Sequence, residues 1–158
     1  HLLKLHASRY LPTDETLIPL GEPAAVAGTP MDFTRPKPLG KDLRADFPAL
    51  EYGKGYDNCY VVDGWRKGVV QPVAELSEPL CGRRLTVLTD APGIQVYTGN
   101  WLEGCPESKS GKAYHDYDGV ALECQSFPDS PNRPDFPFEA LRPGGKYENT
   151  IVFRFECR

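Results

Sequence analysis

"GVALECQSFPDSPNRPDFP", residues 119–137, changes character halfway. An apolar run carrying one acid, Glu123, gives way to a loop with four prolines. Side chains in a strand alternate faces with a period of two. That period puts Val120, Leu122 and Cys124 on one face and Ala121, Glu123 and Gln125 on the other. "GIQVYTGN", residues 93–100, divides the same way, with Ile94, Val96 and Thr98 opposed to Gln95 and Tyr97. Each strand thus has an apolar side and a polar one. A sheet with one solvated face accounts for this pattern. So does a polar sheet face that forms a ligand groove. Gln, Tyr and Glu offer planar donors and acceptors and an aromatic plate, which suit a polyhydroxylated sugar.

The rest of the chain follows the same style. Sixteen prolines and fifteen glycines interrupt 158 residues, and no long helical periodicity survives between them. Short β-rich runs do survive: "LLKLHA", "YVV", "RLTVLT" and "TIVFRF", besides the two strands above. Turn signals at Asp63-Gly64, Ala91-Pro92-Gly93 and Pro143-Gly144-Gly145 separate them. The prediction is an all-β, antiparallel sandwich or barrel in one domain. One helical turn is expected within "LGKDLRADFPAL", residues 39–50, and a long ordered connection over residues 13–38.

Composition removes several classes of function. A net charge of -4 with scattered basic residues argues against a nucleic-acid partner. No apolar run reaches bilayer length, so no membrane helix is expected. Five separated cysteines without a CxxC fit neither a disulfide framework nor a structural zinc site, and a reducing cytoplasm is the expected compartment. His1, His6 and His115 lack metal-ligand spacing and any nucleophile motif, so surface or structural roles are expected for them. Cys59 and Cys124 read as small buried residues rather than nucleophiles. Asp57, in "GKGYDNCYVVDG", is a second acid, and turn chemistry is its simplest reading. Two acids are also compatible with glycoside hydrolysis. The residues by themselves leave hydrolase, isomerase and lectin open.

Six segments taken together go further. "HASRYLPTDETLIPLGE", "VAGTPMDFTRPKPLGKDL", "GYDNCYVV", "GRRLTVLTDAPGIQVYTGNWLEG", "GVALECQSFPDSPNRPDFP" and "LRPGGKYENTIVFRF" occur in this order over nearly the whole chain. In them the sequence resembles the aldose 1-epimerase (galactose mutarotase) family, in the C-terminal half of its domain. The resemblance implies an antiparallel β-supersandwich of the galactose mutarotase type. Residues 1–158 would be the C-terminal part of that single domain, and a complementary N-terminal segment would lie upstream. It implies interconversion of the α and β anomers of a hexose such as galactose or glucose, with neither cofactor nor metal. Glu123 matches the general base, and Asp57 and Gln95 match sugar contacts. The acid, a His in a His-x-Tyr-Phe-Asn type motif, would lie before His1. The chain alone is then expected to be inactive. Position 58, where the family pattern commonly has His, holds Asn here. A non-catalytic carbohydrate-binding or regulatory relative is the alternative expectation, as is the mutarotase part of a bifunctional sugar-nucleotide epimerase fusion.

Overall fold

The computed structural model describes residues 1–157. Ten strands and one short helix make up the regular structure, besides a single 3-10 turn. The strands are β1 (Leu2–Leu5), β2 (Arg9–Tyr10), β3 (Ala24–Ala25), β4 (Lys37–Pro38), β5 (Asp57–Val61), β6 (Gln71–Glu78), β7 (Arg83–Thr89), β8 (Gly93–Tyr97), β9 (Ala121–Gln125) and β10 (Ile151–Cys157); the helix, α1, is Pro48–Gly53. They form two five-stranded antiparallel sheets, ordered β10-β7-β6-β1-β4 and β3-β2-β5-β8-β9. The expected all-β antiparallel architecture is therefore present. Among the described residues no helix is long and apolar enough to cross a membrane.

The sheets meet over one main core. Leu3 and Leu5 of β1, Val73 and Ala74 of β6 and Val87 of β7 face Tyr60 of β5 and Ile94 and Val96 of β8, all nearly or fully buried. Cys124 joins this core, and Val120 and Leu122 pack against it, so the apolar sides predicted for β8 and β9 do point inward. Met31 and Phe33 fill the core from the long 13–38 connection. That connection carries two short edge strands, β3 and β4, so it is ordered, as expected.

Two local expectations shift. The helix forms later than the 39–50 segment suggests. Pro48 sits at its first position, where a missing N–H costs nothing, and Lys54 closes it with φ 56°. The second shift is β6, "QPVAELSE", which has no clean apolar alternation. It lies in the sheet interior and accommodates Pro72 at a register shift between Pro72 and Ala74, the kind of irregularity where proline is tolerated.

Candidate active site

The second sheet presents its other face as a cleft of about 270 Å3, lined among others by Asp57, Gln95, Glu123 and Gln125. Register explains why they meet. On β8 and β9, Gln95 is directly opposite Glu123; on β5 and β8, Asp57 is opposite Tyr97 and Cys59 opposite Gln95. Residues of one parity on three neighbouring strands therefore share one face. Gln95 donates from Nε2 to Asp57 Oδ1 at 2.8 Å, which ties the two side chains together across the strands. Its Oε1 is buried without a partner among the described residues. Glu123 is exposed on the edge strand, and no described side chain or backbone group bonds its carboxylate. The three residues singled out from the sequence thus converge, and the groove reading of the polar face has a physical basis.

The ground beneath Asp57 is stiff. Asn100, fully buried, donates to Gly53 O at 2.6 Å and Tyr56 O at 3.0 Å, and accepts from Thr98 Oγ1 at 2.6 Å. Thr98 Oγ1 also accepts from Tyr56 N at 3.1 Å. These bonds clamp the turn that leads from α1 into Asp57. Gly55 at the turn has φ 142°, and a Cβ there would come within 2.5 Å of Asn100 Oδ1. Only glycine suits that backbone and that space.

The far wall of the cleft comes from a loop that the sequence reading did not single out: Leu11, Thr13, Leu17 and Pro19. At one end a second small core closes the space. Phe127 and Phe136 meet edge to face at 5.2 Å and pack with Leu11, Cys59 and Val61. The prolines after β9 thus have a use. They shape a loop, with a 3-10 turn at Ser130–Asn132, that brings both phenylalanines back over the sheet. Gly93 permits this approach, because a Cβ there would lie 2.7 Å from Cys59 Sγ and 2.9 Å from Phe127.

Cys59 and Cys124 behave as expected. Burial pushes the Cys59 thiol up to about 12 and the Cys124 thiol to about 11, so both stay protonated and unreactive near neutral pH. Asn58 is buried, not in the cleft, and donates to Leu11 O at 3.4 Å. Asn58 therefore contributes to packing beside the cleft rather than to its lining. His6 lies 3.5 Å from Glu75 on the other sheet, and the exposed His115 lies 3.6 Å from Asp118; neither lines the cleft.

A larger hollow of about 380 Å3 runs along residues 28–42. Its polar groups are largely committed to one another. Lys37 Nζ donates to Pro30 O at 2.6 Å and Asp42 Oδ2 at 2.9 Å, and Asp32 Oδ1 accepts from Thr34 N and Oγ1. The smaller cleft, with an uncommitted carboxylate and an unpartnered amide oxygen, is the better candidate for chemistry.

A two-sheet antiparallel β protein with a polar, carboxylate-bearing groove on one sheet is the class that these features define. The family model described as aldose 1-epimerase matches residues 1–154. The chain belongs to the aldose 1-epimerase family. It is 41% identical over 155 residues to human galactose mutarotase, covering 98% of this chain and 43% of that protein. To the aldose 1-epimerase of Escherichia coli it is 38% identical over 159 residues, covering 98% of this chain and 44% of the relative. Among solved structures, an aldose epimerase homologue from C. elegans superposes with a TM-score of 0.81 at 28% identity, over 99% of this chain and 45% of that one. Galactose 1-epimerase from Lactobacillus acidophilus gives 0.76 at 30% identity, over 99% and 43%. The chain spans less than half the length of these relatives.

Proposed function

We propose that this chain is the C-terminal part of an aldose 1-epimerase domain and supplies the base and part of the sugar site. The reaction is interconversion of the α and β anomers of a hexose such as galactose or glucose. The observation that carries this reading is the convergence of Asp57, Gln95 and Glu123 on one face of three adjacent strands.

Glu123 is the general base. Its carboxylate is uncommitted and open to a ligand, and it takes the proton of the anomeric hydroxyl. A histidine of the complementary N-terminal segment gives a proton to the ring oxygen. The bond between C1 and the ring oxygen breaks, and the open-chain aldehyde forms. Rotation about C1–C2 presents the other face of the carbonyl, and the reverse proton transfers close the ring as the other anomer. Asp57 accepts hydrogen bonds from sugar hydroxyls, and Gln95 holds Asp57 while offering its own Oε1 to the sugar. No group other than protons moves between enzyme and sugar, so the chemistry is one of positioned proton transfer.

Polarimetry on freshly dissolved α-galactose tests the proposal. The complete enzyme accelerates mutarotation, this chain alone does not, and Glu123→Gln lowers the rate of the complete enzyme by about 10²–10⁴-fold, the usual worth of a positioned base. Full activity in the Gln variant removes Glu123 from the role. Galactose binding without faster anomer exchange by the complete protein favours a carbohydrate-binding function instead.

A further inference from the structure

Two buried polar atoms in the cleft lack protein partners among the described residues: Gln95 Oε1 and Thr13 Oγ1. The first belongs to a residue already placed in the sugar site. The second does not. Thr13 is 9% exposed, and it lines the cleft together with Asp57, Gln95 and Glu123. A buried hydroxyl left without a hydrogen bond costs stability, and such groups in native proteins generally have a reason. An amide oxygen can only accept, whereas a threonine hydroxyl donates and accepts. Sugar hydroxyls also do both, so they satisfy either atom.

The segment that carries Thr13 is built to hold it still. Thr13 forms an isolated antiparallel bridge with Pro19. Between them the Asp14 carboxylate accepts from Thr16 N at 2.8 Å, Thr16 Oγ1 at 2.7 Å and Ile18 N at 3.1 Å. Asp14 N donates to Ile18 O at 3.0 Å, Leu17 N to Asp14 O at 3.0 Å, and Leu20 N to Pro12 O at 2.7 Å. This closed ring of bonds holds Leu17 at φ 65°, a conformation that a leucine seldom adopts, with Leu17 itself on the cleft wall. Backbone held against its preference beside a cleft is a mark of a preorganised contact surface.

We infer that Thr13 is a sugar-contacting residue of the cleft, hydrogen-bonded through its hydroxyl to a hydroxyl of the bound hexose, with the Thr13–Pro19 loop as the rigid wall that places it. The inference rests on the reading of this cleft as a hexose site. It adds a contact on the side opposite Glu123, from a loop rather than from the sheet.

Thr13→Val keeps the shape and removes the hydroxyl. In the complete enzyme it raises KM for galactose about three- to tenfold, the worth of one neutral hydrogen bond, and moves kcat far less. Calorimetric titration with galactose weakens by the same factor. Without sugar the thermal midpoint of the variant does not fall, because the lost hydroxyl has no protein partner; a purely structural threonine would behave in the opposite way. Thr13→Ser restores affinity. Among singly deoxygenated galactoses, one binds wild type and the Val variant equally, and it identifies the contacted hydroxyl. An unchanged KM in Thr13→Val, or a penalty equal for every deoxy sugar, overturns the inference. If Thr13→Val has no effect while Glu123→Gln is inactive, this contact falls and the proposed function stands. If Glu123→Gln is fully active while Thr13→Val loses affinity, the base assignment falls and this contact stands. Absence of binding of both galactose and glucose by the wild-type complete protein overturns both.

Discussion

The two ends of the cleft-bearing half of the molecule are finished to different degrees. At the β5–β8 end, Asp57 is fixed from below by the Asn100 and Thr98 clamp and from the side by Gln95. At the β9 end, Glu123 stands exposed on an edge strand with no bonded partner among the described residues. The first sheet repeats the contrast. Val87 of β7 is fully buried between the sheets, whereas Phe153, its partner across the ladder on β10, is 51% exposed, and Phe155, opposite the partly buried Leu85, is 75% exposed. The same alternation that buries one strand leaves its neighbour bare, so sequence pattern alone does not decide burial. The difference separates two kinds of surface: one polar side chain locked into the fold, and one left free at a strand edge. On the proposed reading, the first would grip sugar hydroxyls and the second would be where the base meets its acid.

The loss of activity expected for Glu123→Gln is the largest effect, and it probes the open end. The next probes the finished end. Asn100→Leu removes the donor to Gly53 O, one of the donors to Tyr56 O and the acceptor of the Thr98 hydroxyl, and puts an apolar group in a buried polar turn. It destabilises the protein by about 2–4 kcal/mol, read as a lower urea midpoint with unchanged m-value. A wild-type midpoint would mean that the clamp does not set the position of Asp57. Gly93→Ala forces a methyl against Cys59 and Phe127 and costs about 1–3 kcal/mol by the same measurement.

How much of this was legible beforehand depends on the kind of residue. β8 and β9 announce themselves through β-branched and apolar alternation, and so does the inward turn of Ile94, Val96 and Cys124. That Gln95 and Glu123 share a polar face follows from the same period; that they stand opposite each other follows from register, which local sequence does not encode. From its neighbours alone Asp57 reads as turn chemistry; the family resemblance, and then the pairing of β5 with β8, bring it to the groove. β6 is illegible because Pro72 and its polar neighbours mimic a loop, and only its two flanking strands supply the reason to extend it. Thr13 was hidden for another reason. Its segment has no periodicity at all, and the one local signal is the Asp14-Glu15-Thr16 turn, whose carboxylate gathers three hydrogen bonds.

Phe155 gives the smallest effect in this chain and the most direct test of the comparison. It lies on the face of β10 that continues the inter-sheet core, since Phe155 pairs with Leu85 and Phe153 with Val87. β9, the edge of the opposite sheet, ends the cover on that side. On the proposed reading, the complementary segment covers this bare face of β10. Phe155→Ser should therefore shift the stability of this chain alone by no more than about 0.5 kcal/mol, as for an ordinary surface position. With the complementary segment present, the same change removes apolar burial worth about 1.5–3 kcal/mol and weakens association about 10- to 100-fold in a titration of one segment with the other. Equal destabilisation with and without that segment would show that β10 is already finished, and the contrast between the two ends would then be one of exposure alone.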